Sequence, residues 1–129
     1  MNKNDLIKFW LALAKEDLKT AENLLKAKDY AWCLFIMHLV IEKTLKAFWI
    51  RDNRDDVPPK THNLLKLAEE TKLDLSGKHK LLLLDINDFN IEARYPDYKR
   101  NFHKKCTGQF SRQQFELIRE FYKWLLKQK

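Results

Sequence analysis

A histidine and an arginine can together break a phosphodiester bond. The imidazole takes the proton of a ribose 2′-hydroxyl, and the guanidinium neutralises the charge that builds on phosphorus. The sequence offers such a pairing in residues 94–110, RYPDYKRNFHKKCTGQF, where His103 follows Arg94 and Arg100. The same stretch holds Lys99, Lys104 and Lys105, and the rings of Tyr95, Tyr98 and Phe102 lie among the charges. Cations that attract phosphate, interleaved with flat rings on which bases stack, suit single-stranded RNA or a nucleotide. The competing reading is a connection whose aromatics pack onto the protein and whose charges are merely solvated.

A second constellation combines His38 and Glu42. They lie four residues apart, so on a helix they share a face and can exchange a charge-assisted hydrogen bond. Asp17 is carried toward the apolar face of its own helix, so Asp17, His38 and Glu42 are expected to form a buried polar cluster, with Lys43 an alternative partner for either carboxylate. The trio supplies too few ligands for a metal ion, and neither metal nor cofactor is expected. His62 follows a proline-rich turn and reads as a neutral, structural histidine in the first turn of a helix, where a protonated ring would oppose the helix dipole. Cys33 and Cys106 are too isolated to be a disulfide framework, a pattern that suits a reducing cytoplasm.

The elements that must position these groups are helices. Among 129 residues there are only two Gly and three Pro, too few for the turns of a β-sandwich or barrel, and Leu, Lys, Ala and Glu recur at helical spacing. One chain of this length is expected to build one domain over residues 1–129. Lys and Arg outnumber Asp and Glu by 25 to 18, a balance that attracts polyanions or simply keeps the surface solvated. The longest apolar run, Tyr30 to Ile41, is too short to span a bilayer, and the charged start of the chain does not read as a signal peptide.

Leu6, Trp10, Ala14, Ala21 and Leu25 share one face, which predicts an amphipathic helix near residues 3–27. Asp29 is a candidate cap for a second helix, apolar on nearly every side, with a core line of Ala31, Leu34, Phe35, His38, Ile41, Leu45 and Phe48. The proline-bearing link at 51–60 stops it, and Thr61 offers a cap for a short third helix. Ser76 and Gly77 precede a fourth helix that should end near Pro96. Ser111 and Gln114 have the spacing of a capping box, flanked by Phe110 and Phe115 as a hydrophobic staple, and start the fifth. The expected fold class is all-α, an up-and-down bundle of four main helices plus a short additional one.

Four segments, in order, resemble the minimal stand-alone form of the HEPN family, a nucleotide-binding domain shared by higher eukaryotes and prokaryotes. They are Ala14-Lys15-Glu16-Asp17-Leu18, Ile41-Glu42-Lys43-Thr44-Leu45-Lys46-Ala47, Pro59-Lys60-Thr61-His62-Asn63-Leu64 and Ala93-Arg94-Tyr95-Pro96-Asp97. The resemblance implies a helical bundle, a homodimer, and frequent pairing with a minimal nucleotidyltransferase in toxin-antitoxin modules. Many relatives are metal-independent ribonucleases whose Arg precedes a His by four to six intervening residues. Here two residues separate Arg100 from His103 and eight separate Arg94 from it, and Lys105 stands where adenylylated relatives carry a Tyr. Three expectations follow: a dimeric RNA- or nucleotide-binding partner of a nucleotidyltransferase, an endoribonuclease toxin using His103 with Arg94 or Arg100, or a structural dimeric adaptor.

Overall fold

The computed structural model describes residues 1–98 and 100–129; Lys99 lies outside the described residues. The Asn2 side chain accepts a hydrogen bond from the Asp5 amide at 2.8 Å and opens helix α1, Lys3–Lys26. The helix closes on a left-handed turn. Lys28 has φ 64°, its amide donates to the Leu25 carbonyl at 3.1 Å, and the Asp29 amide reaches back to Leu24 at 2.9 Å. This pair of bonds satisfies carbonyls that a helix end leaves free, in a geometry that glycine adopts more cheaply than lysine.

Helix α2, Tyr30–Asp52, follows at once. Asp29 occupies its cap position, yet the carboxylate makes no cap bond, and only the Asp29 carbonyl serves, taking the Cys33 amide at 2.9 Å. Fourteen of its residues are buried, from Ala31 to Ile50, including His38, Glu42 and Thr44. α1 lies along it so closely that the Cys33 thiol donates to the Ala21 carbonyl at 3.3 Å. Lys3 clips the far end of the hairpin, its ammonium donating to the Ile50 carbonyl at 2.8 Å and also to that of Asn53.

Helix α3, Leu64–Glu69, is capped by Asn63, whose side chain accepts from the Lys66 amide. Thr61 was the expected cap. Its hydroxyl instead accepts from the Asn63 amide at 3.1 Å and shapes the turn before the helix, which leaves His62 outside α3 rather than in its first turn. Helix α4, Gly77–Arg94, begins with a capping box: Ser76 Oγ accepts from the His79 amide, and His79 Nδ1 accepts from the Ser76 amide.

The expected capping box at Ser111 and Gln114 is not where the last helix starts. Thr107 caps α6, Gly108–Leu126, four residues earlier, which adds a hydrogen-bonded turn and draws Ser111 into the core. Nor is 94–110 one long loop. Asp97 Oδ1 accepts from the Asn101 amide at 2.7 Å and starts a short helix, α5, Asn101–Lys105, anchored by the buried Phe102. Among the described residues there are thus six helices, α1, α2, α4 and α6 being the long ones, and no strand.

α2 is the centre. α1, α4 and α6 pack around it and α3 covers its C-terminal half, in a core that joins Leu34, Ile41 and Leu45 to Leu64, Leu67, Ile86 and Ile118. No helix among the described residues is long and apolar enough to cross a membrane. Leu45 is fully buried, so Leu45→Ala should cost about 2–5 kcal/mol in urea unfolding. Lys28→Gly should act in the opposite direction, raising stability by about 1 kcal/mol or less through relief of the left-handed backbone.

Candidate functional site

Glu42 projects from α2 into the interior, with only 6% of its side chain exposed. A carboxylate so placed needs compensation. It has two partners: His62 Nδ1 at 2.6 Å on Oε1, and Lys46 Nζ at 3.4 Å on Oε2. Lys46 comes from the next turn of the same helix and also sits over the Trp10 ring. His62 comes from the link between α2 and α3, and its position is fixed through the backbone. The His62 carbonyl accepts from His38 Nε2 at 2.9 Å, and two residues on the Leu64 amide donates to Asn87 Oδ1 at 2.9 Å.

His38 is fully buried and satisfied at both nitrogens. Nε2–H serves the His62 carbonyl, which leaves Nδ1 to accept from the Asn90 amide group of α4 at 3.3 Å. Both bonds suit the neutral ring. Burial, the largest cause, holds the His38 pKa below its usual 6.5, opposed by the bond to His62 and the charge of Glu42.

His62 lies at the boundary of protein and solvent, with about half of its side chain, 54%, exposed. Nδ1–H donates inward to Glu42, so Nε2 carries the lone pair, and it faces Arg94 Nη1 at 3.4 Å. Arg94 is the last residue of α4, exposed, with its guanidinium over the Tyr95 ring. The sequence of contacts therefore runs from a buried carboxylate through a half-exposed imidazole to an exposed cation. Such a unit can hold an anion at the guanidinium and accept a proton at Nε2.

Asp17 is not part of this cluster. Lys43 Nζ donates to Asp17 Oδ2 at 2.5 Å, because α1 and α2 bring both side chains to the partly exposed rim of the hairpin, away from the face that buries His38. Neither does Phe102 offer a stacking surface. It is buried against Phe89, ring centres 5.7 Å apart. The remaining candidates of the 94–105 segment sort into two places. Arg94 joins His62, whereas Arg100 joins His103, Nη2 lying 3.1 Å from Nδ1. Arg100 sits at φ 55° as the residue before α5. Tyr95, Tyr98, His103, Lys104 and Lys105 are exposed, Tyr98 completely, and Lys99 falls outside the described residues. Among the described residues, no three His, Cys, Asp or Glu side chains are grouped to hold a metal ion. Both thiols are buried, and burial pushes Cys33 up to about 12 and Cys106 up to about 11, so both stay protonated at neutral pH.

The HEPN domain profile matches residues 7–129. The chain belongs to the HEPN domain family. Neither a search of curated proteins nor a search of solved structures returns a match. The four HEPN-like segments of the sequence acquire a spatial meaning here. Glu42, His62 and Arg94 each come from a different one of them and meet at one point, while Asp17 from the first pairs with Lys43 from the second. His62 is the residue that reading the sequence undervalued. Its signal was membership of a HEPN-like segment, and that of Asn90 was its position one turn before Arg94 on the same helix.

The buried neutral His38 makes stability depend on pH. As pH falls through 6.5 the unfolded chain binds a proton that the folded chain refuses, so stability should drop from about pH 7 toward pH 5 and level off below the folded-state pKa. His38→Gln should flatten that slope in urea titrations repeated across this range; an unchanged slope would count against the assignment.

Proposed function

We propose that this HEPN domain protein is a homodimer that binds RNA or a nucleotide, beside a minimal nucleotidyltransferase in a toxin-antitoxin-like module. The observation that carries the reading is the exposed surface from Arg94 to Lys105. Arg94, Arg100, Lys104 and Lys105 present cations there, and Tyr95 and Tyr98 present rings 69% and 100% exposed. Phosphate attraction and base stacking need this pair of features side by side. Lys105 is oriented by the Phe110 ring, 5.2 Å away, and does not fold back onto a carboxylate among the described residues.

A dimer is supported by the outer side of α4. Leu81, Leu84 and Ile91 are 66%, 46% and 58% exposed and lie on one stripe at helical spacing, and Leu117 of α6 is 44% exposed beside the groove that α4 and α6 line. A stripe of this kind is a surface that water disfavours and that a second copy of the chain would cover. The nucleotidyltransferase partner rests on the family alone, and co-purification with the product of a neighbouring gene tests it.

Fluorescence anisotropy with labelled single-stranded RNA tests the binding. Affinity should fall with salt, with a log–log slope of about −3 if the four cations each meet a phosphate, and Lys104→Ala should reduce the magnitude of that slope by about 1. Absence of binding at low salt would sink the reading and leave a structural adaptor. Leu84→Glu should lower the mass measured by light scattering from dimer to monomer.

A further inference from the structure

A capping box usually closes with Glu or Gln at the third helical position, side chains that accept a hydrogen bond throughout the neutral range. α4 closes its box with His79. The acceptor is the Nδ1 lone pair, which takes the Ser76 amide at 3.4 Å, while the His79 amide donates to Ser76 Oγ at 3.1 Å. An imidazole has that lone pair only while it is neutral. Protonation turns Nδ1 into a donor that faces another donor, and it sets a positive charge in the first turn of a helix, where the amide dipoles already present their positive ends. Among the described residues, His79 is the one histidine whose ring accepts from a backbone amide.

The same ring also packs against α6. Its centre lies 4.3 Å from that of the Trp124 ring and 5.0 Å from that of Phe121, which itself stacks on Trp124. The three rings wall a groove of about 390 Å³ between α4 and α6. The charged groups on its lining are Lys78 and Asp85 of α4 and Glu120 of α6, whereas Lys80 and Asp74 line a separate hollow. Asp85 and Glu120 take part in no ion pair among the described residues. Lys78 and the helix dipole oppose a charged ring at the cap, and the two carboxylates and the indole face favour one in the groove. The neutral ring therefore has its best partner in the Ser76 amide, and the charged ring has its best partners toward α6.

We propose that the first turn of α4 is a pH-operated latch, closed while His79 is neutral and opened when the ring takes up a proton. In the open state the Ser76 amide passes to water, the imidazolium turns to Trp124 and the carboxylates, and the first turn frays. Leu81 opens the stripe proposed for the dimer only two residues after His79, so fraying displaces it. Acid should then weaken the dimer, a consequence that rests on the dimer reading above, as the latch itself does not.

Amide hydrogen exchange and NMR on the full chain test the latch at about pH 7.5 and about pH 5.5, across the range in which imidazole gains its charge. The His79 ring resonances report when the ring is protonated. With the intrinsic pH dependence of exchange removed, the amides of His79 and Lys80, which donate to the Ser76 hydroxyl and carbonyl, should lose protection about threefold to fivefold as the ring charges. His79→Gln keeps an acceptor at the same position and cannot titrate, so its protection should be equal at both pH values. The loss of global stability that His38 brings on acidification is common to both proteins and cancels in the comparison. Protection that persists in the wild type after the ring is fully protonated overturns the latch, and so does an equal loss in His79→Gln. Light scattering reads the consequence: the dimer dissociation constant should rise by about threefold or more on acidification in the wild type and stay level in His79→Gln. A dimer equally tight at both pH values overturns the link between latch and interface. A monomer at both removes the dimer reading, and the exchange data alone then decide the latch.

Discussion

A helix with apolar side chains around its whole circumference is stable in water only when neighbours cover every side. α2 is such a helix, and the order of the other elements follows from the need to cover it. α1 returns along one side, α3 and α4 close a second, and α6 closes a third. Along the covered sides, the polar groups of His38, Glu42 and Thr44 are shut away from water. His38 and Glu42 are enclosed with the leucines and must be satisfied by groups that the other elements bring to them.

That obligation builds the candidate site. His38 takes the carbonyl of His62 and the amide of Asn90, and Glu42 takes the His62 ring and Lys46. The price of burying a carboxylate is thereby met by an imidazole whose other nitrogen is left at the surface. Arg94 completes the set because α4 ends where the link emerges. Packing and chemistry meet at His62, whose Nδ1 serves the buried Glu42 and whose Nε2 faces the exposed Arg94.

α1 and α6 were legible because each carries an apolar repeat on one face, α2 because it is apolar on nearly every side, and α4 because Ser76 and Gly77 precede it and Pro96 follows it. The termini were less legible, since several hydroxyl or amide side chains compete for each. Thr107 displaced Ser111 and Asn63 displaced Thr61 through a single turn of extra helix or a better-placed acceptor. α5 escaped notice because five residues carry no periodicity, and what holds them is Phe102 against Phe89, a contact between distant parts of the chain. The polar cluster was half legible. His38 and Glu42 are a turn apart and share a face by sequence alone, but which third residue joins them depends on a link whose path no local pattern specifies. Asp17 had the right helical position and the wrong side of the hairpin, where Lys43 meets it.

The α1–α2 hairpin joins residues close in sequence, so its contacts can form early and quickly during folding. The site cannot. It requires α2, the proline-bearing link and the last turn of α4 to arrive together, residues drawn from positions 38 to 94. A chain arrested at the hairpin stage would expose Glu42 without its imidazole and would carry no anion-holding unit at all. The anion-holding unit therefore exists only once the link and the last turn of α4 have packed against α2.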